Sequence, residues 1–87
     1  MTLLRLNETA MSWREVDGEI IALQHASSEY LSTNGTGVLL WKSLANGASR
    51  EDLVELIVRE FGIDEGRATA DTDAFLGALA EHGLLAV

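Results

Sequence analysis

The side chains able to do acid–base, nucleophilic or metal chemistry are few in this chain and stand apart from one another. His25 and His82 have no carboxylate or second histidine at ligand spacing, so they read as exposed or loop histidines and not as metal ligands. Ser27, Ser28 and Ser32 lie near His25, the pairing a hydrolytic nucleophile would need. Serine is far commoner in turns, however, and no G-x-S-x-G context surrounds any of the three. Asp71 and Asp73 are the nearest thing to a paired acid and base, but two positions apart on a helix they point to different faces. There is no cysteine, which removes thiol nucleophiles, thiolate zinc sites and disulfides. Neither glycine-rich phosphate fingerprint occurs. The sequence therefore predicts no enzyme, no cofactor and no metal, and the function has to be sought in a surface.

The elements that would build such a surface meet at residues 29–41. Glu29-Tyr30-Leu31 and Val38-Leu39-Leu40-Trp41 flank the breaker Asn34-Gly35-Thr36-Gly37, a pattern that predicts a strand switching into a helix. Upstream, Thr2 to Leu6 forms a short strand with Leu4 and Leu6 on one side. Residues from Trp13 to Leu23 form a hairpin about the Asp17-Gly18 turn. The polar link His25 to Ser28 leads to a third strand, Glu29 to Ser32, completing an antiparallel meander with an open edge. Downstream the period changes. Val38, Leu40, Trp41, Leu44 and Ala45 share a helix face that stops at Asn46-Gly47. Ser49 and Asp52 form a capping box ahead of Leu53, Leu56, Ile57 and Phe61, with Gly62 as the stop. A third helix opens near Asp64-Glu65 and carries Ala68, Thr72, Phe75, Leu76 and Leu79 to Gly83 and the apolar tail Leu84-Leu85. Strands followed by helices predict an α+β domain over residues 1–87, winged-helix-like, with a three-stranded antiparallel sheet followed by three α-helices. Trp13 and Trp41 are expected at the core or its edge, Tyr30 as a half-buried sheet aromatic, and Asn34 as a cap or turn residue.

Size and charge narrow the classes of partner. An 87-residue chain buries only about 60–65% of its unfolded surface, enough for one small core without a deep cavity. Fourteen acids against six scattered bases give a net charge of −8, which repels a phosphate backbone and argues against nucleic acid, the natural partner of a winged helix. An acyl carrier protein would also be small and acidic, but it is all-helical and needs an Asp-Ser-Leu attachment site that is missing here. The first residues lack the uninterrupted apolar run of a signal peptide, and no run is long enough to span a bilayer, so a cytoplasmic protein with no membrane partner is expected.

On the third helix, Arg67, Ala70, Ala74, Gly77 and Ala78 fall at i, i+3, i+7, i+10 and i+11. Such a stripe of small residues allows close approach, either by another helix of this chain or by a ligand. If it faces the open strand, an extended peptide could pair its backbone with the strand and rest its side chains on the helix.

Tyr30, Asn34, Trp41, Leu44 and Gly47, followed by Leu53, Phe61, Asp71, Phe75-Leu76, Leu79 and Gly83-Leu84-Leu85, resemble the PqqD family. Its pattern runs close to Y-x-x-L-N…W-x-x-L-x-x-G and then D-x-x-x-F-L-x-x-L-x-x-x-G-L-L. The resemblance covers roughly residues 16–85, and Thr33 departs from it where leucine is usual. It implies a non-catalytic recognition element that binds the leader of a ribosomally made precursor peptide as an added strand beside the third strand, in a cleft completed by the third helix. By position it assigns the backbone bonds to Glu29, Tyr30, Leu31, Ser32 and Thr33. The cleft lining falls to Arg67, Ala70, Asp71, Ala74, Phe75 and Ala78, with Arg67 available to an acidic leader residue. The divergent Tyr-x-x-Thr-Asn segment resembles the lasso-peptide group, whose members work with a separate leader peptidase and a cyclase. Delivery of a leader to a radical enzyme in quinone-cofactor biosynthesis is the alternative.

Overall fold

The computed structural model describes residues 2–86. A three-stranded antiparallel sheet precedes three helices, as the order of patterns in the sequence predicts. β2 (Met11–Val16), β3 (Glu19–Gln24) and β4 (Glu29–Thr33) pair in the order β2-β3-β4, leaving β4 at an edge. The helices are α1 (Thr36–Asn46), α2 (Arg50–Phe61) and α3 (Glu65–Glu81). The Asp17-Gly18 turn takes positive φ at both residues, 51° and 79°, the geometry that matches the twist of a tight hairpin.

One pairing was not foreseen. The N-terminal strand is confined to β1 (Arg5–Leu6), and its partner is β5 (Leu85–Ala86), read from sequence as an apolar tail. Leu4 adds an isolated bridge to Ala48. The two ends of the chain thus clamp each other, burying Leu6 and Leu84.

The core lies between the inner face of the sheet, where Met11, Ile20 and Ala22 are buried, and the helices, which contribute Leu40, Trp41, Leu44, Leu53, Ile57, Ala68 and Leu79. Trp41 is 3% exposed and meets Trp13 edge to face, ring centroids 5.8 Å apart at 71°. Two expected packing residues are not buried: Tyr30 is 73% and Phe61 46% exposed. Phe61 closes the last turn of α2, beside the Gly62 C-cap.

Local chemistry sets the helix limits. Ser49 and Asp52 close a reciprocal capping box on α2, and Gly62 ends it in the left-handed conformation. Asp64 caps α3 by accepting the Arg67 amide at 2.9 Å. α1 has no side-chain cap, so Asn34 acts as a turn residue whose carbonyl accepts the Gly37 amide. Arg50 grips Asp73 with two bonds of 2.7 and 2.8 Å, tying α2 to α3. Those bonds hold the Asp73 carboxyl below its ordinary range.

Gly37 and Thr33 fit each other. Gly37 is buried, and a Cβ there would collide with the Thr33 hydroxyl. Alanine for glycine inside a helix usually stabilises by about 0.5–1 kcal/mol. Here Gly37→Ala is expected to destabilise by about 1–3 kcal/mol through overpacking. Thr33→Ala should relieve most of that cost in the double variant, a non-additivity that urea melts of the four proteins would measure.

Candidate functional site

Period 2 along β4 decides which of its side chains serve the helices. Leu31 and Thr33 pair across the sheet with the buried Ala22 and Ile20, so they face inward; Tyr30 and Ser32 pair with Leu23 and Ile21 and face the opposite way. The inward residues open onto a cleft of about 230 Å³ lined by Ile20, Leu31, Trp41, Phe75, Leu79 and Leu84, with Ala78, Ser32, Thr33 and His82 at its remaining walls. That volume lies below the roughly 300–1,000 Å³ of a small-molecule site. It suits a few side chains delivered along the strand. The lining is apolar apart from two hydroxyl residues and His82.

α3 packs on α2 and β5 rather than on β4, which is why the cleft exists. Its C-terminal end is tied to the sheet where the Gln24 side chain donates to the His82 carbonyl. Gln24 is the register partner of Glu29, so His82 marks the Glu29 end of the cleft.

The residues assigned from sequence separate into three groups. Leu31, Ser32, Thr33, Phe75 and Ala78 come together around the cleft. Glu29 and Tyr30 belong to the same open strand but do not line it; Tyr30 instead shares a shallow concavity on the outer face with Ser12, Arg14, Ile21 and Leu23. Arg67, Ala70, Asp71 and Ala74 stand on the exposed N-terminal part of α3, beyond the lining of this cavity, α3 being longer than β4. Arg67 already lies 3.9 Å from Asp71, both well exposed. The small-residue stripe is solvent-facing throughout: Ala70, Ala74, Gly77 and Ala78 are exposed, so close packing against another helix of this chain is not its role.

Ile20, Trp41, Leu79, His82 and Leu84 were not assigned to the site from sequence. Trp41 and Leu79 read as core residues, Ile20 as a hairpin strand residue and Leu84 as part of an apolar tail; all four are buried, and they form the floor because the core reaches the cleft. His82 follows Ala78 and Leu79 at i+4 and i+3, a spacing that places it on the same flank of α3. His25 does not line the cleft, and its ring lies 2.9 Å from the Ser12 hydroxyl. Among the described residues no group of three or more His, Cys, Asp or Glu could hold a metal, and no helix is long and apolar enough to cross a membrane.

The family described as Coenzyme PQQ synthesis protein D (PqqD) matches residues 19–85 of the chain. Two solved structures are similar over nearly the whole length. A structure of TbiB1 in complex with the TbiA(beta) leader peptide is 27% identical with a TM-score of 0.86, covering 93% of this chain and 93% of that one. A structure of lasso peptide synthetase B1 complexed with the leader peptide is 26% identical with a TM-score of 0.84, covering 97% and 98% respectively. No curated protein matches the chain.

Exposure gives the α3 stripe a distinct mutational signature. Ala74→Glu should leave the melting temperature within a few degrees of wild type, since surface changes usually cost no more than about 0.5 kcal/mol. Ala68→Glu, on the fully buried face of the same helix, should prevent cooperative folding, because an unpaired carboxylate would be taken out of water. Circular dichroism melts of the two variants check both.

Proposed function

The chain belongs to the PqqD family, and on that basis we propose that it binds the leader of a ribosomally synthesised precursor peptide as an added strand along β4. The observation that carries this reading is an unpaired strand edge running beside an apolar cleft of side-chain dimensions. Backbone groups of Glu29 to Thr33 supply the ladder bonds, which any sequence can make. Selectivity comes from alternate side chains of the added strand entering between Leu31, Thr33, Phe75 and Ala78. Arg67, Ala70, Asp71 and Ala74 lie further along α3, where a peptide longer than β4 would pass. An acidic leader residue meeting the exposed Arg67 would contribute only about 0.2–1 kcal/mol, so the apolar anchors dominate.

In this reading residues 1–87 act as one peptide-recognition domain with a winged-helix-like layout. The domain works in the cytoplasm and performs no chemistry, delivering the leader to a separate peptidase of lasso-peptide biosynthesis, with a cyclase downstream. The two similar structures, each holding a leader peptide, support the lasso setting. The family description supports the second reading, presentation of a precursor to a radical enzyme in quinone-cofactor biosynthesis.

Calorimetry separates leader recognition from recognition of the rest of the precursor. The leader segment of its precursor should bind within about threefold of the full precursor, a difference under about 0.7 kcal/mol, and the isolated core should bind at least about 100-fold more weakly. Ala78→Glu should weaken leader binding by about tenfold or more at unchanged melting temperature, because occupancy would strip water from an unpaired carboxylate. Comparable affinity for the isolated core would place recognition elsewhere.

A further inference from the structure

A strand added at β4 has two faces, and the cleft accounts for one of them. Residues paired across a ladder share a face, so added residues opposite Leu31 and Thr33 enter the cleft. Those opposite Tyr30 and Ser32 project from the outer side of the sheet. The helices pack against the inner side, so nothing in the core reaches this second face. Tyr30 stands there at 73% exposure, the most exposed large apolar side chain among the described residues. Its neighbour on the β3 side is the half-buried Leu23, with which it shares a concavity of about 220 Å³ whose lining includes Ile21 and Arg14. On its other side β4 has no partner strand, and the tyrosine has no cross-strand neighbour.

We infer that Tyr30 is a second specificity-determining contact, which packs against the outward residue of the added strand paired with it and takes an aromatic or β-branched side chain there. The inference rests on the peptide-binding reading above and deepens it. Successive strand residues alternate in face, so the residue paired with Tyr30 is the immediate neighbour of the one that pairs with Leu31 and enters the cleft. The segment recognised therefore carries two adjacent apolar residues, one for each face. A segment that strictly alternates apolar with polar residues satisfies the cleft alone. Ser32, the other outward residue of β4, has too little side chain to select by packing. Cross-strand aromatic pairs of this kind change an affinity by about twofold to fivefold, so the cleft anchors the peptide and Tyr30 refines the choice.

The chain contains one tyrosine, so fluorotyrosine incorporation gives a single fluorine resonance that reports on Tyr30. The full-length chain is titrated with the leader segment of its own precursor, and with the TbiA(beta) leader as a second probe, by calorimetry and by this resonance. The resonance should move in step with binding. Tyr30→Thr, which keeps strand propensity, should weaken binding about twofold to fivefold at unchanged melting temperature, and Tyr30→Phe, which keeps the ring, should bind as wild type. Alanine scanning of the leader against both proteins should show non-additivity at one position, next to the residue whose replacement costs most. Wild-type affinity in Tyr30→Thr, or the absence of coupling at such a position, overturns the inference while leaving peptide binding intact. No binding of either peptide overturns the peptide-binding reading, and the inference with it.

Discussion

Burying Trp41 is the constraint on which the rest of the structure depends. At 3% exposure its ring must be enclosed from two sides, and the sheet and the helices meet on it. Trp13 of β2 meets it edge to face, an arrangement worth about 0.5–1.5 kcal/mol beyond the area it buries. Part of its surface joins Ile20, Leu79 and Leu84 as floor of the cleft. With the indole filling the space between sheet and helices, α3 closes on α2 and β5 rather than over β4, and the strand edge stays open. An unpaired edge is ordinarily a hazard that proteins cover or charge; here it is left uncovered beside an apolar groove, the arrangement that strand addition needs.

Much of this was legible where a feature is local. Asp17-Gly18 announces its hairpin, Ser49 with Asp52 the start of α2, Gly62 its end, and the 3.6-residue spacing of Ala68, Thr72, Phe75 and Leu79 the inward face of α3. The β1–β5 ribbon was not legible, since two-residue strands from opposite ends of the chain carry no periodicity of their own. Tyr30 was misplaced because Tyr-Leu-Ser-Thr does not alternate apolar with polar residues. Only the register against β3 tells which parity faces in. The departure at Thr33 makes sense beside Gly37 once the hydroxyl is seen in the space a Cβ would occupy.

The candidate site was legible as a strand and a helix, and illegible in its extent. Strand and helix were identified by pattern, but how far α3 overhangs β4 depends on its packing against α2 and β5, which no spacing within α3 reveals. Ala78 stands beside the cleft, and Arg67, Ala70, Asp71 and Ala74 stand outside its lining. The floor escaped detection for a different reason: Trp41 and Leu79 carry the signature of core residues, and a core that surfaces at one groove looks in sequence like any other core.

The central claim, that a peptide completes the sheet at β4, is tested most directly by amide hydrogen exchange across Glu29 to Thr33 with and without the leader. In an antiparallel edge strand, alternate amides are bonded to the neighbour and the rest point outward. The account predicts that the outward β4 amides, fast in the free protein, become strongly protected on peptide binding while those bonded to β3 slow only slightly. Protection confined to α3, with the outward β4 amides exchanging as fast as before, would contradict it.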